Sequence, residues 1–324
     1  MRGKWMLRFI ISRILYAIPL IVGVVVVNFL LIQLAPGDPI DVLVGDYPVP
    51  DSYLAQVREQ FGLDKPIWQQ LLIYCGQLLR GNLGTSYAQH QDVASLIFDR
   101  LGATAKLTIT ALLVATVVGV LLGILGARYR GKAVDTGTQT VSLLGFSVPE
   151  FWLGQLLILL FAVSLKWLPA SGAFSIREGD TGFFSTLNYL VLPAVALSFR
   201  YIAIIARMTR ANLLEVAGAD FVTAARSRGV GERGVLFRHT LKNAAPPVVT
   251  VIGYNIGYIL AGSVTIETVF SWPGIGRLMF DSIGDRDYPV LVGILLMIAI
   301  TIVIANLLTD IVHALIDPRV VQEK

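Results

Sequence analysis

The chain has 324 residues, 55% of them hydrophobic and only 15% charged. Soluble domains usually carry about 25% charged residues, so this balance, with a mean hydropathy of +0.70, excludes an ordinary water-soluble enzyme. The net charge of +4 does not point to nucleic acid, because the basic residues gather beside apolar runs, and the single cysteine, Cys75, excludes an internal disulfide framework and a cysteine-based zinc site.

Crossing a bilayer as a helix takes about 20 mostly apolar residues. Six runs approach that length: Ile14 to Leu34, Leu107 to Ala127, Val141 to Leu165, Tyr189 to Ala206, Val248 to Val264 and Val290 to Leu308. The third carries Glu150 and the fourth Arg200, and the fifth is short unless it extends through its flanks. Lipid leaves no partner for open backbone groups, and runs this long do not resemble barrel strands. The expectation is an all-α polytopic membrane protein with six transmembrane helices.

Lys and Arg concentrate on the cytoplasmic side of membrane proteins. One set of segments holds Arg2, Lys4, Arg8 and Arg13, then Arg128, Arg130 and Lys132, then the basic residues between Arg207 and Lys242. The opposite loops are richer in Asp and Glu than in basic residues, which places both termini in the cytoplasm. The first apolar run is longer than a signal-peptide core and lacks a small-residue cleavage site, so it reads as a retained anchor. The chain divides into a cytoplasmic N-terminus with the first transmembrane helix (1–35), an extracytoplasmic insert (36–103) and a five-helix core (104–324) with a cytoplasmic loop at 207–245. Within the insert, Ser52 to Phe61 and Ile67 to Leu79 have helical patterns.

Catalytic chemistry is hard to find in these residues. Gly126 to Ala133 approaches a phosphate-binding loop but has Ala133 where a hydroxyl must meet Mg²⁺, and it follows an apolar helix rather than a strand. His90, His239 and His313 are scattered over different segments. No nucleophile stands at a recognisable spacing from a base.

The cytoplasmic loop is more specific. Asp220-Phe-Val-Thr-Ala-Ala-Arg-Ser-Arg-Gly229 predicts a short helix, with Asp220 as N-cap, Gly229 as stop, and Arg226 and Arg228 at the end that favours cations. Ala224 and Ala225 are small enough to admit another surface. Thr223-Ala224-Ala225-x-x-x-Gly229, followed by His239-Thr240-Leu241, resembles the EAA loop of ABC-importer permeases. Thr223 stands where that loop has Glu, and Lys242 where it has Pro; both departures resemble the dipeptide/oligopeptide/nickel branch. So do Leu34-Ala-Pro-Gly-Asp-Pro39, Phe61-Gly-Leu-Asp-Lys-Pro66, Gly81-Asn-Leu-Gly-Thr-Ser86, Arg207-Met-Thr-Arg210, Asn243-Ala-Ala-Pro246, Phe270-Ser-Trp-Pro-Gly-Ile-Gly276, Arg286-Asp-Tyr-Pro289 and Asp317-Pro-Arg319.

The resemblance covers nearly the whole chain. It implies the "B" permease of a peptide-class importer, with the type I permease fold, in a bacterial inner membrane. It also implies a homologous second permease, two cytoplasmic ATPase subunits and an extracytoplasmic solute-binding protein as partners. This chain would bind no cofactor itself, ATP and Mg²⁺ belonging to the ATPases. Asp220, Phe221, Thr223, Ala224, Ala225, Arg226, Arg228 and Gly229 would form the ATPase-coupling helix. The alternative from another class is a non-transport membrane scaffold whose cytoplasmic loop docks proteins.

Two further expectations come from the residues alone. The apolar but Gly- and Pro-broken segment around Trp272 and Ile275 either helps gate the extracytoplasmic mouth or anchors at the lipid interface. Glu150 and Arg200 either pair or jointly border a polar pathway, unless Arg200 reaches back to the interface or the third span begins later than drawn. Gly119-x-x-x-Gly123 and Gly253-x-x-x-Gly257 predict close helix packing, within the chain or against a partner.

Overall fold

The computed structural model describes residues 2–34, 65–173 and 183–316. Ten α-helices of eight or more residues run through them: α1 (Arg2–Leu34), α2 (Ile67–Leu79), α3 (Val93–Arg128), α4 (Ala133–Ser147), α5 (Glu150–Leu157), α6 (Phe183–Ala217), α7 (Asp220–Ser227), α8 (Leu241–Val269), α9 (Ile275–Gly284) and α10 (Tyr288–Ile316). α5 continues as a π-helix over Ile158–Ser164, and a second π-helical segment, Val235–Thr240, leads into α8. Among the described residues, four helices are long and apolar enough to cross a membrane, or five if α4 and the α5 segment count as one broken span.

That break corrects the third predicted span. α4 and the helix from Glu150 to Ser164 meet at 106°, where the apolar run alone suggests one straight helix. The cause is Pro149: its ring pushes the preceding residue out of the helical region, and Val148 sits at φ −88°, ψ 122°. Glu150 therefore opens a helix instead of lying partway along one. The fifth predicted run lies within α8, which is 29 residues long but is not among the helices counted as long and apolar enough to cross. The predicted helix at Ile67 to Leu79 is α2, whereas the expectation for Ser52 to Phe61 and the string Asp317-Pro-Arg319 lie outside the described residues.

The chain divides into two compact units, Met1–Gly102 with Leu278–Val303, and Ala103–Arg277 with Ile304–Lys324. In the first, α2 packs on α1, with Phe29 and Tyr74 rings 5.9 Å apart and Gln33 donating to Gln70 at 2.7 Å. Two of the strings recognised in the sequence meet here. Asp287, 1% exposed, accepts hydrogen bonds from the Ser86 hydroxyl and from the Tyr87 and Ala88 amides. Burial, and then the neighbouring Asp287 charge, push the Tyr87 phenol up.

In the second unit α6 is the central element, packed against α4, α5 and α8. The heart of this packing includes Leu107, Ala111, Leu197, Ile205 and Ile259. Along α3, Leu107, Ala111 and Ala115 are buried at four-residue spacing, while Leu113, Val117 and Leu121 are more than half exposed. Such a stripe of exposed aliphatics is intolerable in water but ordinary against lipid or another membrane helix. Gly119 and Gly123 pack within the chain: a Cβ on them would lie 2.8 Å from that of Ile205 and 2.5 Å from that of Thr209. Gly253 likewise abuts Thr309 of α10.

Candidate functional site

The short helix α7 hangs between α6 and the Val235–Thr240 segment, against which it packs. Its N-cap is Ala219, with φ −74° and ψ 149° and no side-chain capping bond. Asp220 is thus the first helical residue and not the cap; its carboxylate sits in the first turn, where the helix dipole favours a negative charge. The stop is as expected. Gly229 takes φ +83°, and the Gly229 and Val230 amides close back on the carbonyls of Arg226 and Ala225 at 2.9 and 3.2 Å.

The two sides of α7 differ. Val222 and Ala225 are buried at 0% and 6% exposure. Phe221, Thr223, Ala224, Arg226, Arg228 and Gly229 are exposed. Of the two adjacent alanines only Ala224 has a free face; Ala225 is turned into the fold. Arg226 folds over to Glu232, Nε to Oε1 at 2.9 Å, in a pair open to solvent.

The segment after α8 is organised by a carboxylate that sequence reasoning missed. Glu267 is wholly buried. The Thr104 hydroxyl donates to it at 2.8 Å and the Arg277 amide at 3.1 Å, while Thr104 Oγ1 accepts the Ile275 amide at 2.8 Å. Arg277 also reaches the Ser271 carbonyl at 3.0 Å, and the Trp272 indole donates to the Ala103 carbonyl at 2.9 Å. A Cβ at Gly274 would run into the Glu267 carboxylate, and one at Gly276 would lie 2.5 Å from the Val264 Cα. Glycine is needed because backbone must come this close to an acid and to a helix. Trp272 and Ile275, at 1% and 3% exposure, are buried within this chain, so neither side chain lies free at a lipid interface. The available signal was an acid three residues before Phe270, just outside the apolar run that ends at Val264.

Glu150 and Arg200 come together without forming an ion pair: both line a cavity of about 480 Å³ with Phe151, Tyr201, Asn255 and Thr265. Arg200 and Asn255 lie near the middles of α6 and α8, and the Pro149 break delivers Glu150 to the same place.

A bundle of broken and close-packed apolar helices, with a two-sided helix hung on a loop, is the build of a membrane permease subunit. Residues 119–322 match the family described as binding-protein-dependent transport system inner membrane component, and residues 6–108 match its N-terminal component. The chain is 41% identical, over 97% of its length and 99% of the relative's, to the di/tripeptide transport system permease protein DppB of Pseudomonas aeruginosa. It is 37% identical, over 98% of its length and all of the relative's, to the dipeptide transport system permease protein DppB of Escherichia coli K12. In fold it resembles a chain of the inward-facing MetNI methionine ABC transporter, with a TM-score of 0.55, 18% identity, and coverage of 68% of this chain and 96% of that one. The chain belongs to the binding-protein-dependent transport permeases, in the branch of peptide ABC importers.

Proposed function

We propose that the chain forms the translocation pathway of a bacterial inner-membrane peptide importer together with a homologous second permease. Two separate ATPase subunits hydrolyse ATP with Mg²⁺, and an extracytoplasmic binding protein delivers the solute. In this reading α8 completes six crossings with the broken pair α4–α5, and both termini lie in the cytoplasm, in keeping with the basic residues of the N-terminus and of the 207–245 loop. The relatives named as dipeptide permeases support the solute class.

The observation that carries the reading is the two-sided α7. Its buried face fixes it to its own chain, and its exposed face of Phe221, Ala224 and Arg228 offers an apolar, partly cationic ridge to an ATPase groove. ATP-driven closure of the ATPase pair moves α7, and the permease pair alternates its opening between the two sides of the membrane. Ala224→Trp tests this: it adds bulk on the exposed face and leaves the internal face alone. The expected result is a permease of normal abundance that loses its ATPases or uncouples ATP hydrolysis from uptake. Normal coupled uptake would refute the docking role.

A further inference from the structure

Asn255, which lines the cavity beside Glu150, carries an unanswered hydrogen-bond donor. Asn255 is 6% exposed, and its amide nitrogen has no partner on the protein. A buried donor left without a partner costs free energy, and the residue that carries it lines the cavity that Glu150 and Arg200 share. The two opposite charges spend themselves on no ion pair with one another. The Thr104–Glu267 pairing shows how this fold treats an acid meant only to hold structure: it is wholly buried and hydrogen-bonded. Glu150 and Arg200 are instead presented to a space of about 480 Å³, within the range of about 300–1,000 Å³ typical of small-molecule sites. Ionisable groups deep in apolar helices mark pathways for charged solutes.

We propose that this cavity is a waypoint for a short zwitterionic peptide, Glu150 receiving its terminal ammonium, Arg200 its terminal carboxylate, and Asn255 donating to a peptide carbonyl between them. The proposal rests on the peptide-importer reading and adds to it a site on this chain. Phe151 and Tyr201 supply aromatic walls that accept varied side chains without selecting among them. A site of this kind recognises the ends and backbone common to all such peptides, and leaves discrimination to another component.

The test uses the intact complex in proteoliposomes with its binding protein, and dialanine as probe. Glu150→Gln, Arg200→Gln and Asn255→Leu each lower dialanine uptake per ATP hydrolysed; for the two charged residues the loss is about tenfold, as for a charged hydrogen bond. An unchanged ratio in all three overturns the site. A second measurement needs no change in the binding groups: Phe151→Cys in a Cys75→Ser background is labelled with maleimide in the purified complex. Dialanine slows the labelling, and its N-acetylated, C-amidated form does not. Equal rates with and without dialanine overturn the proposal whatever the uptake assay gives. Protection without any uptake by the wild type supports the site and counts against the importer reading.

Discussion

Asp135 and Arg210 form a two-pronged ion pair across 75 positions of sequence, with Nε to Oδ1 at 2.6 Å and Nη2 to Oδ2 at 2.8 Å. The same carboxylate accepts the Gly131 amide at 2.9 Å and the Gln139 side-chain amide at 3.1 Å, so one buried group ties the turn before α4 to α6. Arg210 belongs to the stretch of α6 that leads into α7. The pair joins the segment that leads into α7 to the helix that ends at the Pro149 break.

Asp135→Asn removes the acceptor of both Arg210 hydrogen bonds and leaves a cation without its partner, so it is expected to lower the Tm of the solubilised protein. Arg210→Met added to Asp135→Asn recovers part of the loss. Thermal unfolding of the two variants checks both.

Thr104 does two jobs at once, donating to Glu267 and accepting from the Ile275 amide. Thr104→Val keeps the shape, takes one donor from Glu267, which retains the Arg277 amide, and leaves the Ile275 amide without its acceptor, a loss of about 1–3 kcal/mol for a buried group left unpaired. Gly274→Ala drives a methyl into the same carboxylate, with an overpacking cost of about 1–3 kcal/mol. Both are expected to lower Tm and abundance together.

Gly123→Val tests the α3–α6 contact, where there is no room for even one methyl against Thr209. The expected cost is about 1–3 kcal/mol or more. Gly137→Ala is the control, because nothing lies within 4 Å of a Cβ there. Comparing the two by Tm separates helix-to-helix crowding from the general effect of replacing glycine.

Arg226 and Glu232 are 44% and 76% exposed at the side chain, and an exposed pair contributes at most about 1 kcal/mol. Arg226→Gln is therefore expected to leave Tm nearly unchanged. Any loss of ATP hydrolysis stimulated by the loaded binding protein then reports on docking and not on folding, which the two measurements made side by side will show.

Phe221, on the outer face of α7, stands 46% exposed while Ile275 is 3% exposed. Phe221→Cys should label rapidly with maleimide in the isolated permease and slowly once ATPases are bound. Ile275→Cys should label slowly in both. Fast labelling at Ile275 would contradict the buried loop.

Helices with local signals were legible in the sequence. α2 matches the run from Ile67 to Leu79, and α7 starts at Asp220 and stops before Gly229, because turn residues and caps act over a few positions. The break at Val148 was not read, since hydropathy stays high through it and only the backbone geometry forced by Pro149 separates two helices. Nor could Asp135 and Arg210 be paired, because nothing near either one names a partner 75 residues away. Glu150 and Arg200 stood out as charges in apolar runs, yet Asn255, being uncharged, drew no notice until the helices were packed. Ala225 illustrates the same limit: its size was evident, but which way it faces depends on the segment beneath it.

α8 is one unbroken helix of 29 residues, about 43 Å at 1.5 Å per residue. One end grows out of the π-helical segment on which α7 rests, and the other ends three residues before Trp272. It has the shape of a connecting rod. Pro246 and Pro247 interrupt its hydrogen-bond ladder near the α7 end, and beyond them one helical column runs past Asn255 at its middle to Glu267 near its far end. Under the proposed coupling role the two loops it joins move in phase, and a substitution that softens the shaft between them should delay one relative to the other without touching either.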